Sequence, residues 1–363
     1  MTKPRPLRLR QRWLLAVAGL AVGIALAELG FRVMKPLGPE FVLAATTSTI
    51  NPSYFVDDVE LRVVLAPSVE SQGFTTNALG LRSPELTAKR DGEKRILALG
   101  DSFTLGLAVS DGEDFPARLD AVLGPNITVL NAGVPGYGTA QATGLMRRLV
   151  AATEADAVIL SVYTGNDLRD NLRWEQSPGM PTTPPPVVAP PPPERGEAIK
   201  ALARVSRVVA YALMGLDLRR AEDDFRIAEF KDEILPFTGR AHLSSILPPT
   251  HRALTQFAAA CGALRVRCGI ALIPPAYVVH PERLARTFQA FDLSPDEAAT
   301  DGPQNAIREL ASSTLPVIDL TEALRAGAQR SPFLVFDPHF SAEGHAIASE
   351  ALAPFARRLL EQP

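Results

Sequence analysis

The chain has 363 residues, a formal net charge of −3 and 46% hydrophobic residues. That length serves one large domain or two smaller ones, and the composition supports a sizeable core. The weak acidity, with no long basic run beyond the N-terminus, argues against a nucleic-acid-binding protein, and no internal repeat of about 20–50 residues is visible.

At the N-terminus Lys3, Arg5, Arg8, Arg10 and Arg12 precede the uncharged run from Trp13 to Ala27. The run alone falls short of the ~20 residues that cross a bilayer. Glu28 and Arg32 stand at i,i+4, however, and the apolar spacing continues through Leu29, Phe31, Val33 and Met34. Extended that far, a helix reaches about 33 Å. Residues 1–34 therefore read as a basic cytoplasmic tail followed by a transmembrane signal anchor, with the rest of the chain outside the cytoplasm. A cleaved signal peptide competes, because Ala25-Leu26-Ala27 fits a small-residue cleavage site. Both readings give the same destination. No cysteine follows the apolar run, which argues against a lipidated N-terminus.

Residues 35–93 read as a membrane-proximal connecting segment, with an extended piece at Leu61–Leu65 and a turn over Asn77–Arg82. From about Lys94 short apolar runs alternate with helical patterns. The strands are Arg95–Leu99, Ile127–Leu130, Ala157–Val162, Gly269–Ile273 and Leu315–Leu320. Phe115, Leu119 and Leu123 give one helix its apolar face, Leu145 and Leu149 another, and 250–262 forms a third. A last helix follows Ser341, a good N-cap. This alternation predicts an α/β domain over 94–363, a parallel sheet flanked by helices in three layers. The prolines from Pro181 to Pro193 interrupt it, since such a run is polyproline II or irregular and cannot enter a sheet interior. With the helical stretch over 197–216, they make 172–250 an insertion, either a lid or a spacer. Cys261 and Cys268 lie where a helix end turns into a strand. They leave open a disulfide across that turn or two small buried residues. No metal-ligand spacing of Cys or His appears.

Four segments fall where this pattern puts strand C-termini, the edge at which open α/β sheets gather ligands. Gly100-Asp101-Ser102-Phe103 places a hydroxyl at a strand-to-helix turn, a common nucleophile position. Asn131-Ala132-Gly133-Val134-Pro135-Gly136-Tyr137-Gly138 is glycine-rich, but its order is G-x-x-G-x-G, not the G-x-G-x-x-G of a dinucleotide loop. Its glycines suit close approach of backbone N–H groups to an anion. Thr164-Gly165-Asn166-Asp167 offers a side-chain amide. Asp337-Pro338-His339 offers a base with a carboxylate on the same side of an extended chain. His345, in the first turn of the last helix, reads as structural, and His242, His251 and His280 as surface or packing residues.

In this order the four segments resemble the SGNH/GDSL hydrolase superfamily, and the turn at Asn77–Leu81 resembles membrane-anchored bacterial members. The resemblance covers roughly 94–363 outside the insertion. It implies a flavodoxin-like three-layer sandwich and a serine hydrolase of the esterase, lipase or deacetylase type, acting on an ester of a glycan, lipid or small alcohol. It implies Ser102 as nucleophile, His339 as general base and Asp337 as its orienter. The Ser102 and Gly136 N–H groups and the Asn166 amide would form the oxyanion hole. No cofactor, metal, nucleotide or nucleic acid is called for. One departure stands out: the family's usual last block has Asp three residues before His, and Asp337 is two before. O-acyl transfer to an envelope polysaccharide would use the same acyl-enzyme, and a non-catalytic envelope scaffold could keep the same fold.

Overall fold

The structure, a computed structural model, describes residues 9–34, 54–71, 74–107, 109–176, 206, 208–209, 231–334 and 338–361. The chain divides into two compact units, one of residues 1–49 and 188–223, the other of 50–187 and 224–363.

In the first unit α1 (Leu9–Met34) is a helix of 26 residues. Trp13, Leu20, Ile24 and Leu26 on it are exposed. The Glu28 carboxylate accepts bonds from the Ser206 hydroxyl (3.0 Å) and the Val208 N–H (3.1 Å). The expected transmembrane span is not shown by the structure. Among the described residues no helix is long and apolar enough to cross a membrane. The contacts with Ser206 and Val208 join Glu28 to residues distant in sequence.

In the second unit two hairpins come first: β1 (Phe55–Asp58) with β2 (Arg62–Leu65), and β3 (Glu70–Ser71) with β4 (Phe74–Thr75). Asp58 shapes the first turn by accepting from the N–H groups of Glu60 and Leu61. Leu61, Leu65 and Leu81 are buried in the main core, so from Tyr54 onward the connecting segment is part of the packing.

The main further elements are β5 (Lys94–Gly100), α2 (Ser102–Leu105), α3 (Phe115–Leu123), β6 (Ile127–Gly133), α4 (Thr139–Thr153), β7 (Ala157–Tyr163) and α5 (Asp167–Gln176). After the insertion come α6 (Arg240–Leu264), β8 (Arg267–Ile273), α7 (Pro281–Ala290), α8 (Gly302–Ala311), β9 (Val317–Asp319), α9 (Thr321–Ala326) and α10 (Ala342–Glu361). The five long-range strands form one parallel sheet in the order β6-β5-β7-β8-β9, the flavodoxin-like arrangement. Its residues alternate between two cores, as the period of two dictates. Leu97, Leu99, Val158 and Leu160 pack with α4, α6 and α8 on one face. Ile96, Ala98 and Ile159 pack with Phe115 and Leu119 of α3 and Ile347, Leu352 and Phe355 of α10 on the other. Burying each of the Val, Leu, Ile and Phe side chains among them contributes about 1.5–3 kcal/mol. The α/β class and the helix-covered parallel sheet are as the alternation predicts.

The sequence alternation places the return to the sheet at Thr250. The structure returns earlier, with α6 starting at Arg240 and carrying Pro248 and Pro249 inside it. Two prolines leave two carbonyls a turn earlier without helical donors, but Ile246, Leu254 and Phe257 pack this helix into the core, and tertiary burial overrides the local signal. The proline run 181–193 lies outside the described residues, and of the helical stretch 197–216 only residues 206, 208 and 209 are described. Cys261 at the end of α6 and Cys268 in β8 form a disulfide, the first of the two alternatives the spacing leaves open.

Candidate active site

In a sheet of this order the ligand crevice lies outside the carboxyl ends of the strands flanking the order reversal, here β5 and β7. Ser102 stands just past the end of β5, at the start of α2, and is 8% exposed. Two features hold it there. Asp101 folds its Oδ1 back to accept from the Phe103 N–H at 2.9 Å, a side-chain N-cap. Gly100 has φ +153°, and a Cβ on it would lie 2.2 Å from Thr104 Oγ1 and 3.0 Å from the Ser161 carbonyl oxygen. Only glycine turns the chain this sharply between two packed elements.

His339 reaches Ser102 from the far end of the sequence. Its Nε2 lies 2.7 Å from Ser102 Oγ. The loop that carries it is closed at its base: Phe333 bridges Phe340, the Leu334 N–H donates to the His339 carbonyl (3.0 Å), and the Ser341 N–H donates to the Pro332 carbonyl (3.0 Å). Arg283 of α7 adds a bond from its guanidinium to the Leu334 carbonyl at 3.0 Å. The imidazole also packs on the Phe103 ring with centroids 4.9 Å apart, and Phe340 meets Phe103 edge-on. The hydroxyl–imidazole contact is within the reach that proton transfer requires. Asp337, the expected orienter, lies outside the described residues.

Gly136 follows β6 in an exposed turn at φ +77°, with no atom within 4 Å of where a Cβ would stand. The turn is anchored by the Val134 N–H donating to the Gly100 carbonyl at 3.0 Å, which ties it to the strand end that precedes Ser102. Asn166 follows β7 and is half-buried. Its carbonyl accepts from the Asp170 N–H of α5, and its side-chain Oδ1 is buried with no hydrogen-bond partner. Which amide atom is oxygen and which nitrogen is a matter of assignment, so the unpartnered position suits a side-chain N–H as well as a carbonyl oxygen.

Two carboxyls that sequence reasoning left without a role complete the electrostatics. Asp101 and Asp167 are 1% and 2% exposed. Asp167 Oδ2 accepts from the Tyr163 N–H at 3.1 Å, while Asp167 Oδ1 and Asp101 Oδ2 are buried without partners. Burial pushes Asp101 up to about 6, against the pull of His339, which favours its charged form. Burial, then the charges of Asp101 and Asp170, raise Asp167 well above the usual carboxylate range. The Asp following Gly-Asn and the Asp preceding the serine were legible as letters. Only the register of β5 against β7 brings them to one corner of the sheet.

The other histidines stand apart from this constellation. His345 is buried, its Nδ1 accepts from the Phe115 N–H at 3.1 Å, and burial holds it well below the usual histidine range, a neutral structural imidazole. His280 packs edge-on to Phe333 and has an acidic neighbour, Glu282 at 3.3 Å, that the sequence pattern did not suggest. His242 and His251 are exposed.

No curated protein matches the chain. Among solved structures, it is similar to the psychrotrophic esterase EstA from Pseudoalteromonas sp. at 11% identity and a TM-score of 0.39, over 74% of this chain and 100% of that one. It is similar to the lipase/acylhydrolase from Enterococcus faecalis at 16% identity and a TM-score of 0.37, over 73% and 96%. It is also similar to a GDSL-like lipase from Bacteroides thetaiotaomicron at 12% identity and a TM-score of 0.36, over 75% and 92%. The model of the GDSL-like lipase/acylhydrolase family matches residues 98–347, which take in the Gly-Asp-Ser turn, the glycine loop, Gly-Asn-Asp and His339. The chain belongs to the GDSL-like lipase/acylhydrolase family and is an ester-hydrolysing serine hydrolase.

Proposed function

We propose that Ser102 is the nucleophile and His339 the general base of this hydrolase, acting on an acyl ester outside the cytoplasm. The observation that carries the assignment is the 2.7 Å contact between Ser102 Oγ and His339 Nε2. Ser102 Oγ attacks the acyl carbonyl as its proton passes to Nε2. The imidazolium then returns that proton to the leaving alcohol, and an acyl-enzyme remains. Water, deprotonated by the same nitrogen, attacks the acyl carbon and frees the acid.

The Ser102 N–H, the Gly136 N–H and the Asn166 amide serve as oxyanion donors in this reading, and Asp337 as the carboxylate that fixes the His339 tautomer. The open space around Gly136 and its anchored turn suit a backbone N–H offered to a ligand. Location rests on two independent features. The basic-then-apolar N-terminus has the form of an export segment, retained or cleaved, and a disulfide in a chain with two cysteines suits an oxidising compartment.

A fluorophosphonate probe together with p-nitrophenyl acetate tests the chemistry. Wild type should label and turn over the ester, and Ser102→Ala should do neither. An unlabelled, inactive wild type with intact circular dichroism would remove Ser102 as nucleophile. Fractionation of cells, with thiol alkylation to read the state of Cys261 and Cys268, tests the location.

A further inference from the structure

The helix that carries Ser102 is only four residues long, too short to hold itself by its own hydrogen bonds. Its N-terminal side is capped by Asp101. The exit of the helix is held from elsewhere. Arg82, in the turn that precedes the sheet, is 4% exposed. Its Nη1 donates to the carbonyls of Leu105 (2.9 Å) and Gly106 (2.6 Å), and its Nη2 to the carbonyl of Val109 (2.7 Å). These are carbonyls at and just past the helix end, the groups a helix leaves unsatisfied. The Arg82 Nε is bonded to Asp111 at 3.0 Å and lies 3.8 Å from the buried Asp114. One planar fork therefore joins the carbonyls of Leu105, Gly106 and Val109, which a point-like ammonium could not do.

The surrounding backbone is cut to fit this fork. Gly106 has φ +80°, and a Cβ there would lie 2.4 Å from Asp114 Cβ and 3.0 Å from Arg82 Nη1. Arg82 is fixed in turn by its own N–H donating to the Asn131 carbonyl at 3.0 Å. Asn77 shapes the approach, its Oδ1 accepting from the N–H groups of Leu79 and Leu81 and its Nδ2 donating to the Pro84 carbonyl.

We propose that Arg82 is a positioning residue for catalysis: by holding the carbonyls of Leu105, Gly106 and Val109 it fixes the helix on which the Ser102 hydroxyl and N–H are presented. The proposal rests on Ser102 being the nucleophile. It gives the turn over Asn77–Arg82 a part in the reaction although that turn lies outside the family's matched residues.

The test measures the rate constant of fluorophosphonate labelling and, separately, the apparent affinity for the probe, each below the thermal midpoint of the variant. Arg82→Ala should label about tenfold or more slowly at unchanged affinity, as expected when a reacting group is misplaced and binding is not. Millimolar guanidinium chloride should restore part of that rate. Arg82→Lys should stay impaired, and Asp111→Asn, which loosens the fork from its exposed side, should lose a smaller part of the rate with an unchanged midpoint. A folded Arg82→Ala that labels at the wild-type rate overturns the proposal. So does a loss of rate that guanidinium leaves untouched. Should Arg82→Ala fail to fold, Arg82→Lys decides, and a wild-type rate in that variant overturns the proposal. A wild type that never labels overturns the reading of Ser102 instead, a different outcome from any of these.

Discussion

Gly133 faces Leu105 so closely that a Cβ on it would stand 2.2 Å from the Leu105 nitrogen, with the Thr104 carbonyl carbon at 2.7 Å and the Asp101 carbonyl oxygen at 2.9 Å. The end of β6 thus lies flush against the whole backbone of the helix that carries Ser102. All three neighbours are main chain and none can swing aside. Gly133→Ala is therefore expected to cost about 1–3 kcal/mol or more by overpacking. It should also slow fluorophosphonate labelling about tenfold or more. Thermal unfolding and labelling of the same preparation check both. A variant with wild-type stability and labelling would mean the helix shifts at no cost.

Removing the proposed base should give a sharper loss. His339→Gln keeps a polar side chain in the loop closed by Phe333 and Phe340, yet leaves Ser102 Oγ without a proton acceptor. Turnover of p-nitrophenyl acetate should fall by about 10³-fold or more, leaving the residue of catalysis that binding and oxyanion donors supply. The thermal midpoint should change little, because the loop keeps its backbone bonds. Asn166→Ala should cost less, about 10²–10³ in kcat with KM nearly unchanged, as for one oxyanion donor among several. A change confined to KM would assign Asn166 to ground-state binding.

How much of this was readable from the letters depends on the range of the physics involved. The strand cores showed because fully buried strands such as Ala157–Tyr163 are continuous apolar runs. The Gly-Asp-Ser, glycine-rich and Gly-Asn-Asp segments were legible as turns because each follows a buried strand, and the structure places them after β5, β6 and β7. Arg82 did not show. It is an arginine in an irregular stretch, and its three carbonyl partners lie more than twenty positions away. The register of β5 against β7, which brings Asp101 and Asp167 to one corner, is likewise set by packing rather than by local pattern. The start of α6 was not legible because Pro248 and Pro249 break a helical pattern, and only the burial of Ile246 and its neighbours outweighs them. At the N-terminus the apolar run was legible as a helix, but the contacts of Glu28 with Ser206 and Val208 join residues that no periodicity relates.

The disulfide between Cys261 and Cys268 closes a short loop of sequence separation 7. It ties the end of α6 to β8, beside the core that Phe257 and Ile270 fill. By loop-closure entropy such a crosslink contributes about 2–3 kcal/mol. Cys261→Ser with Cys268→Ser, or reduction of the folded protein, should lower the thermal midpoint by several degrees while leaving the labelling rate of Ser102 unchanged. A fall in labelling without a fall in stability would tie the crosslink to the site instead.

The buried Asp101 makes stability depend on pH in a defined window. Its ordinary value of 3.8 is raised to about 6 by burial. In the folded state it therefore holds its proton more tightly than in the unfolded chain, so between about 4 and 6 the folded state binds more protons. Stability then falls as pH rises through that window, and the contribution present below about 4 is gone above about 6. Asp167, raised further by burial and by Asp101 and Asp170, acts in the same direction at higher pH. Asp101→Asn keeps an oxygen to accept from the Phe103 N–H and removes the titration. Its thermal midpoint should exceed that of wild type at pH 8, and the excess should shrink to nothing as pH falls toward 4. His345 supplies the opposite slope in wild type and variant alike, because burial depresses it and acid below about 6.5 destabilises the fold, so it cancels from the difference between the two proteins. The measurement is that difference in midpoint against pH. A flat difference would show that Asp101 gives up its proton as readily in the folded chain as in the unfolded one.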